Sequence, residues 1–242
     1  MSRRRFFVPQ VRNGQAEIEG DEANHLVRVL RVEAGQRYEI SDGAGIYLAE
    51  ITEARKSRVG FAVRERVEPN PLPVRIVIAA ALIKFDHFEW VLEKGTEVGV
   101  ERFVPVVCNR SEKGLDRAVA ARRTRWERIL LEASQQSRRD TLPVLGDVAR
   151  FAAAVAMVGD SRFFLDEAPG APPILAALPE RDRRMSADEV LVLVGPEGGW
   201  TEPERELALR GQWTPVSLGR QILRAETAAI VAAALVSAAW QA

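Results

Sequence analysis

The stretch Leu191–Glu206, LVLVGPEGGWTEPERE, passes from an apolar run into a glycine-rich turn and then into a helix start. Loops of this shape hold ligands, and a phosphate is the usual one. These residues suit a phosphate badly. A Walker loop needs Gly-Lys-Ser/Thr, and no lysine is present; the dinucleotide spacing G-x-G-x-x-G also fails, because the glycines stand at 195, 198 and 199. Glu197 would repel an anion. The loop suits a ligand that is neutral or positive near Glu197, and on its local spacing alone it equally suits a tight turn with a solvated glutamate. A second stretch, PVSLGRQILRAETAA from Pro215 to Ala229, repeats the order strand, glycine, polar loop, helix. Glu226 or Thr227 can satisfy free N–H groups at the start of its helix. Two such loops can present backbone edges to one ligand. Main-chain groups reading an adenine edge, with glycines allowing close approach, account for both without a lysine.

The elements that must carry these loops fall into two parts. The seam is VEPNPLPVRI, Val67–Ile76, where Pro69, Pro71 and Pro73 break any helix or central strand. Before it, QAEIEG, QRYEISDG, IYLAEITEA and RVGFAVRERV read as short strands, with SDGAG as a hairpin-type turn. One helix-like piece, DEANHLVRVLR, interrupts them, with Asp21 placed to cap it and Leu26, Val27 and Leu30 on one side. So many strands in so short a span predict a small β-barrel over 1–70. After the seam, from 73 to 242, continuous apolar runs alternate with longer helical segments. That pattern predicts a parallel sheet covered on both faces, an α/β domain. Thr201 followed by Glu204 predicts a capping box. The last helix, AETAAIVAAALVSAAW, is apolar nearly all round and must be covered on several faces, by its own subunit or by a second copy.

Composition narrows the classes. The 242 residues are 47% hydrophobic and 28% charged, with zero net charge, so no global basic field advertises nucleic acid. Lysine occurs only at Lys56, Lys84, Lys94 and Lys113; the remaining positive charge is arginine, which suits phosphate forks and base stacking but also follows from a GC-rich coding sequence. A single cysteine, Cys108, excludes an internal disulfide and reads as a buried strand residue, not a nucleophile. His25 and His87 form no metal-site spacing, so no metal is expected, and His87 reads as a surface residue. The start MSRRRFFVPQ lacks an apolar signal core and no run reaches membrane length, which places the protein in the cytoplasm and off the membrane.

Taken together, GPEGGWTEPE and LGRQILRAETAA resemble the RsmE family, the small-subunit (16S) ribosomal RNA uridine-N3 methyltransferases of the SPOUT, or trefoil-knot, superfamily. The similarity extends over nearly the whole chain through RRRFFV, HLVRVLRVEAGQRYEISDG, KFDHFEWVLEKGTEVGV, VPVVCNRSEKG and RWERILLEASQQSRRDTLPVL. It implies a PUA-like or OB-like β-barrel that binds RNA, followed by an α/β-knot domain that binds S-adenosylmethionine and works as a homodimer. It implies a cofactor pocket lined by Gly195, Pro196, Glu197, Gly198 and Gly199 on one side and by Leu218, Gly219, Ile222, Leu223 and Thr227 on another. Leu165 in FFLDEAPG is a candidate third loop, with an ordinary strand end as the other reading. The family's last motif commonly reads Leu-Gly-x-Arg-Ile-Leu-Arg; here Gln221 stands at the arginine position and Arg220 precedes it. Arg138 replaces a small residue of the family's polar helix.

The implied reaction assigns roles. Uracil N3 is a poor nucleophile while protonated, so it must lose its proton or have its developing anion stabilised. Arg224 is the candidate for stabilising that charge, its other reading being an ion pair with Glu226 or Glu197. Those two glutamates are the candidate bases, and Glu226 also reads as a helix cap. RNA contact is expected from Arg3, Arg4 and Arg5, which flank Phe6 and Phe7, and from Arg28 and Arg31, which three-residue spacing would put on one helix face, with His25 beside them. By resemblance, Arg110, Gln136 and Arg139 join the RNA set. Three other functions fit parts of the pattern: a knot-type enzyme acting on another RNA atom, such as a ribose 2′-hydroxyl of transfer RNA, an RNA-binding assembly factor with an inactive fold, and a small-molecule nucleotide enzyme.

Overall fold

The protein is described from a computed structural model covering residues 4–168 and 170–241. It divides into two compact units, residues 1–71 with 134–142, and residues 72–133 with 143–242.

The first unit is a curled five-stranded sheet, formed by β1 (Arg5–Phe7), β2 (Gln15–Glu19), β3 (Arg37–Ser41), β4 (Ile46–Arg55) and β5 (Arg58–Val67) in the order β1-β3-β4-β5-β2. The β1–β3 pair is parallel and the rest are antiparallel. Alternation decides which face is buried: in β2, Ala16 and Ile18 point inward while Gln15, Glu17 and Glu19 face water. Register irregularities between β4 and β5, at Leu48/Ala49 and Ile51/Glu53, bend these long strands around a core of Phe6, Leu26, Ile40, Ile51 and Phe61. The Asp42–Gly45 turn joins β3 to β4 through Asp42 Oδ1, which accepts from the N–H groups of Ala44 and Gly45.

Helix α1 (Gly20–Arg28) lies against this core, and two sequence expectations fail on it. Its cap position is Glu19, so Asp21 sits inside the first turn as a favourable charge on the helix dipole. The helix stops at Arg28, and Arg31 takes a left-handed φ of 53°, so Arg28 and Arg31 do not share a helical face.

Residues 134–142, placed by sequence in the second domain, belong to the first unit. A buried ion cluster holds them there. Arg5 is only 4% exposed; its Nη2 donates to Glu39 Oε2 (2.9 Å), its Nη1 to the carbonyl of Arg138 (2.9 Å), and it also pairs with Asp140. Asp140 further accepts from the Asn70 N–H at 2.6 Å, and Ser41 Oγ donates to its carbonyl at 2.8 Å.

The second unit is a seven-stranded parallel sheet among the described residues. Its main path is β12 (Thr214–Val216), β10 (Ser161–Leu165), β11 (Glu189–Val194), β6 (Arg75–Ala81), β7 (Val100–Val107) and β8 (Val144–Leu145), with β9 (Ala149–Arg150) also on β7. Because both faces are covered, successive residues of one strand enter different cores. Val190, Val192 and Val194 of β11 meet Phe88, Val91 and Leu92 of α2 (Phe85–Glu97), Trp126 and Leu130 of α3 (Leu115–Ser137), and Ala229, Ala232 and Val236 of α7 (Ala225–Gln241). Leu191 and Leu193 enter a core with Ala154 of α4 (Phe151–Val155), Ala208 of α6 (Glu202–Arg210), Trp200 and Trp213. The short α5 (Ile174–Ala177) adds Ile174 to the first of these. The chain runs outward from β6 to β7 and later returns on β6's other side, so the strand order reverses between β6 and β11, and ligands bind at the carboxyl ends of the strands in sheets of this kind.

Replacing Arg5 by methionine would leave Asp140 without its cation and Glu39 with Arg138 alone. Losing one partner of a buried ion pair costs about 3–5 kcal/mol. Urea unfolding of Arg5→Met is expected to show that loss as a lower midpoint with an unchanged slope.

Candidate cofactor and active site

Three loops lie side by side at the carboxyl edge of the second unit. Strand β10 is hydrogen-bonded to β11 on one side and β12 on the other, so the loop after Leu165 runs between the glycine loop Gly195–Gly199 and the loop Ser217–Arg224. The two late loops are therefore not direct neighbours, and the FFLDEAPG segment forms the middle of the row.

Each loop is fixed by named contacts. Trp200, 3% exposed, donates its indole N–H to the Leu165 carbonyl at 2.7 Å. Its ring lies so close to Gly195 that a Cβ there would meet it at 3.1 Å. Gly199 takes a φ of +68°, and its N–H closes a turn on the Pro196 carbonyl at 2.8 Å. The expected capping box is formed: Glu204 Oε2 accepts from the Thr201 N–H at 2.9 Å, and α6 begins there. Glu204 Oε1 also accepts from the Asn109 N–H at 2.8 Å, a long-range bond that spacing cannot reveal. The middle loop is held by Asp166, buried and bound by two parallel hydrogen bonds from Arg205, whose Nε and Nη2 lie 3.0 and 2.9 Å from its oxygens. The hydrogen bonds that Arg205 donates to Asp166 raise the Arg205 pKa further. At the third loop, the Ser217 N–H donates to the Pro172 carbonyl at 2.8 Å, and Gly219 takes a φ of +123°.

The expected cofactor residues fall on this edge. Gly195, Gly199, Leu165, Leu218 and Leu223 are half-buried, Pro196 is buried, and Glu197, Gly198, Gly219 and Thr227 are exposed. Ile222 is 82% exposed and packs on nothing in the described core. Arg224 is exposed just before α7, with its carbonyl accepting from the Ala228 N–H. Glu226, one of the two carboxylates that could have paired with Arg224, is 2% exposed and lies 3.5 Å from His87 Nδ1. His87 is thus half-buried against a carboxylate, which corrects its reading as a surface residue.

The expected RNA residues separate. Arg3 lies outside the described residues. Arg5 is buried in the ion cluster of the first unit, and Phe6 is fully buried against Tyr38, with ring centroids 4.9 Å apart; neither is presented to a nucleic acid. Arg139 is 7% exposed and donates to the Thr141 carbonyl, so it too is a structural group and not a surface cation. Arg110 donates to the Gly198 carbonyl at 2.6 Å and lies along the glycine loop. Arg4, Phe7 and His25 are half-buried, and Arg28, Arg31 and Gln136 are exposed. No helix among the described residues is long and apolar enough to cross a membrane, and no His, Cys, Asp or Glu group among them could hold a metal.

A parallel sheet whose carboxyl edge offers three adjacent loops rich in main-chain groups, alongside a small curled β-sheet unit, defines an α/β methyltransferase of the SPOUT type with a PUA-like domain. Comparison with known proteins agrees. Residues 70–237 match the RNA methyltransferase domain family and residues 18–60 the RNA methyltransferase PUA domain. A Bacillus subtilis protein named ribosomal RNA small subunit methyltransferase E is 32% identical over 91% of this chain and 88% of its own. The crystal structure of a ribosomal RNA small subunit methyltransferase E from Neisseria gonorrhoeae, bound to S-adenosylmethionine, is 28% identical with a TM-score of 0.82 over 98% of both chains. A Legionella pneumophila structure in complex with the same cofactor gives a TM-score of 0.87 at 26% identity, over 99% of this chain and 98% of its own. The chain belongs to the ribosomal RNA small subunit methyltransferase E family of RNA methyltransferases.

Cys108 borders this edge at the end of β7. Burial pushes its thiol up to about 12, and the nearby Glu204 charge adds to the shift. At pH 8 the thiol exceeds the thiolate by roughly 10⁴-fold, and only the thiolate is reactive. Native protein is expected to leave Cys108 unmodified by a disulfide exchange reagent at that pH. One equivalent should react once the chain is unfolded in guanidinium.

Proposed function

We propose that this protein transfers a methyl group from S-adenosylmethionine to N3 of a uridine in small-subunit (16S) ribosomal RNA. The observation that carries the reading is the row of three carboxyl-edge loops, which offers main-chain groups and glycines but no lysine, beside an exposed Arg224 and a buried Glu226. Those groups fit a cofactor with an adenine edge and a positive sulfur, and fit a nucleotide polyphosphate poorly. The cofactor supplies an electrophilic methyl group and leaves as a neutral thioether.

The protein's own groups do the rest. Gly195, Pro196, Glu197, Gly198 and Gly199, with Leu165, Leu218, Gly219, Ile222, Leu223 and Thr227, hold the donor through backbone and apolar contact. Arg224 stabilises negative charge growing on the uracil oxygens as N3 loses its proton. Glu226 accepts that proton, and its burial and unshared oxygen favour it over the solvated Glu197. Arg28, Arg31, Arg4, Gln136 and His25 of the first unit, with Arg110 of the second, are the remaining candidates for RNA contact. Ile230, Val231 and Ala234 are half-exposed along α7 and Trp90 is 56% exposed on α2, which packs on α7; this apolar face is where a second copy would sit in a homodimer. The cytoplasm is the compartment that holds the substrate.

Digesting RNA to nucleosides after incubation with the enzyme and labelled cofactor tests the reading. N3-methyluridine is the expected product, and a 2′-O-methyl nucleoside would replace this proposal with the ribose alternative. Arg224→Ala is expected to slow single turnover by about 10²–10³-fold, the cost of removing one charge-stabilising donor. Cofactor affinity by calorimetry should be unchanged. An unaltered single-turnover rate would remove Arg224 from the site.

A further inference from the structure

Gly198 and Gly199 stand where loops from three strands meet. The glycine loop follows β11, Glu167 belongs to the loop after β10, and Arg110 comes from the loop after β7, which is not a neighbour of β11 in the sheet. The Arg110 stem lies on Gly198, where a Cβ would meet its Cβ and Cδ, each at 3.2 Å. Its Nη1 donates to the carbonyls of Gly198 at 2.6 Å and Trp200 at 3.3 Å. Both bonds use one nitrogen of the guanidinium. Among the described residues, Nε and Nη2 donate to no protein group.

Gly199 separates two opposite charges. The point where its Cβ would stand is 3.1 Å from Glu167 Oε1 and 4.0 Å from Arg110 Nη1. Both side chains belong to exposed residues, and among the described residues neither forms an ion pair. The other cation near Glu167 is Arg205, which is already committed to Asp166 by two hydrogen bonds and feels Glu167 only through space. A guanidinium and a carboxylate that face one gap without pairing match a ligand that carries both charges. A phosphate would satisfy Arg110 but be repelled by Glu167. The methyl donor carries an α-carboxylate and an α-ammonium on one carbon at its methionine end. A guanidinium binds a carboxylate through paired N–H groups, and a carboxylate accepts from an ammonium.

We infer that Arg110 and Glu167 form the subsite for the amino-acid end of S-adenosylmethionine, Arg110 taking its carboxylate and Glu167 its ammonium. Gly199, with no side chain and a φ of +68°, leaves the gap between them open. The inference rests on the reading of this edge as the cofactor site. It moves Arg110 from the RNA set to the cofactor and gives Glu167 a function.

The test is calorimetry on the full-length protein and its Arg110→Gln and Glu167→Gln variants, at low ionic strength because salt screens exposed charges. The ligands are S-adenosylmethionine, its decarboxylated form, and 5′-methylthioadenosine, which lacks the amino-acid end. Each variant should bind S-adenosylmethionine about tenfold more weakly, the scale of one charge-assisted hydrogen bond, and methylthioadenosine within about twofold of wild type. Wild type should prefer S-adenosylmethionine to the decarboxylated form; Arg110→Gln should lose that preference and Glu167→Gln should keep it. Equal weakening of S-adenosylmethionine and methylthioadenosine would mean that the variants only deform the loop, and it overturns the subsite, as does unchanged affinity for S-adenosylmethionine. If Arg110→Gln does not fold, Glu167→Gln, which removes no protein hydrogen bond, decides the matter on the same ligands. Wild type that binds none of the three ligands would defeat the cofactor reading itself, whereas wild-type binding with indifferent variants defeats the subsite alone.

Discussion

One buried indole sets the geometry of the site. Trp200 enters the core with an acceptor for its indole N–H, the last carbonyl of β10. That bond ties the end of the glycine loop to the end of the neighbouring strand. It also lays the ring against Gly195, where a Cβ would press on it at 3.1 Å. The glycine at 195 thus lets the indole pack closely from behind. Gly199 meets a second requirement, a left-handed turn, and a Cβ there would sit 3.1 Å from Glu167. The loop is held in shape by that hydrophobic wall and by the hydrogen bond from the Gly199 N–H to the Pro196 carbonyl. Preorganisation of this kind lowers the entropic cost of binding.

The charges around the edge divide by how completely they are satisfied. Arg205 with Asp166, and Glu204 with Asn109 and Thr201, form closed sets in which each carboxylate oxygen is bound. Closed sets hold elements together: the first ties α6 to the β10 loop, the second ties α6 to the end of β7. Glu226 belongs to an open set, and an open buried set is unstable unless something else completes it. Folding alone gives no reason to keep it.

Much of this was legible in the chain. The strands of the first unit, the capping box at Thr201, the burial of Cys108 and the parallel sheet follow from alternation, spacing and continuous apolar runs, all of which are local signals. The order of strands is not local. Nothing in the sequence places β10 between β11 and β12, so the Leu165 loop could be named as a candidate but not put at the centre of the row. The pairing of His87 with Glu226 lies beyond reach for the same reason, since 139 positions separate them and a lone histidine carries no pattern. Arg31 shows a different limit. Three-residue spacing promised a shared helix face, but the helix ended at Arg28, with the Val29 N–H returning to the His25 carbonyl, and the promise lapsed with it.

Arginine is where residue type misleads most. The same planar fork that grips a phosphate grips a carboxylate pair equally well, so Arg5 looked like a nucleic-acid contact until Glu39 and Asp140 were found around it. The difference between these roles is burial, and burial follows from segment 134–142 belonging to the sheet unit at the start of the chain. Once that segment is placed there, Arg138 also acquires a reason: it pairs with Glu39 at the rim of the cluster. Arg138 makes this pair from a left-handed backbone conformation, with a φ of 58°. The substitution that departs from the family pattern thus lies within the network that holds residues 134–142 to the sheet.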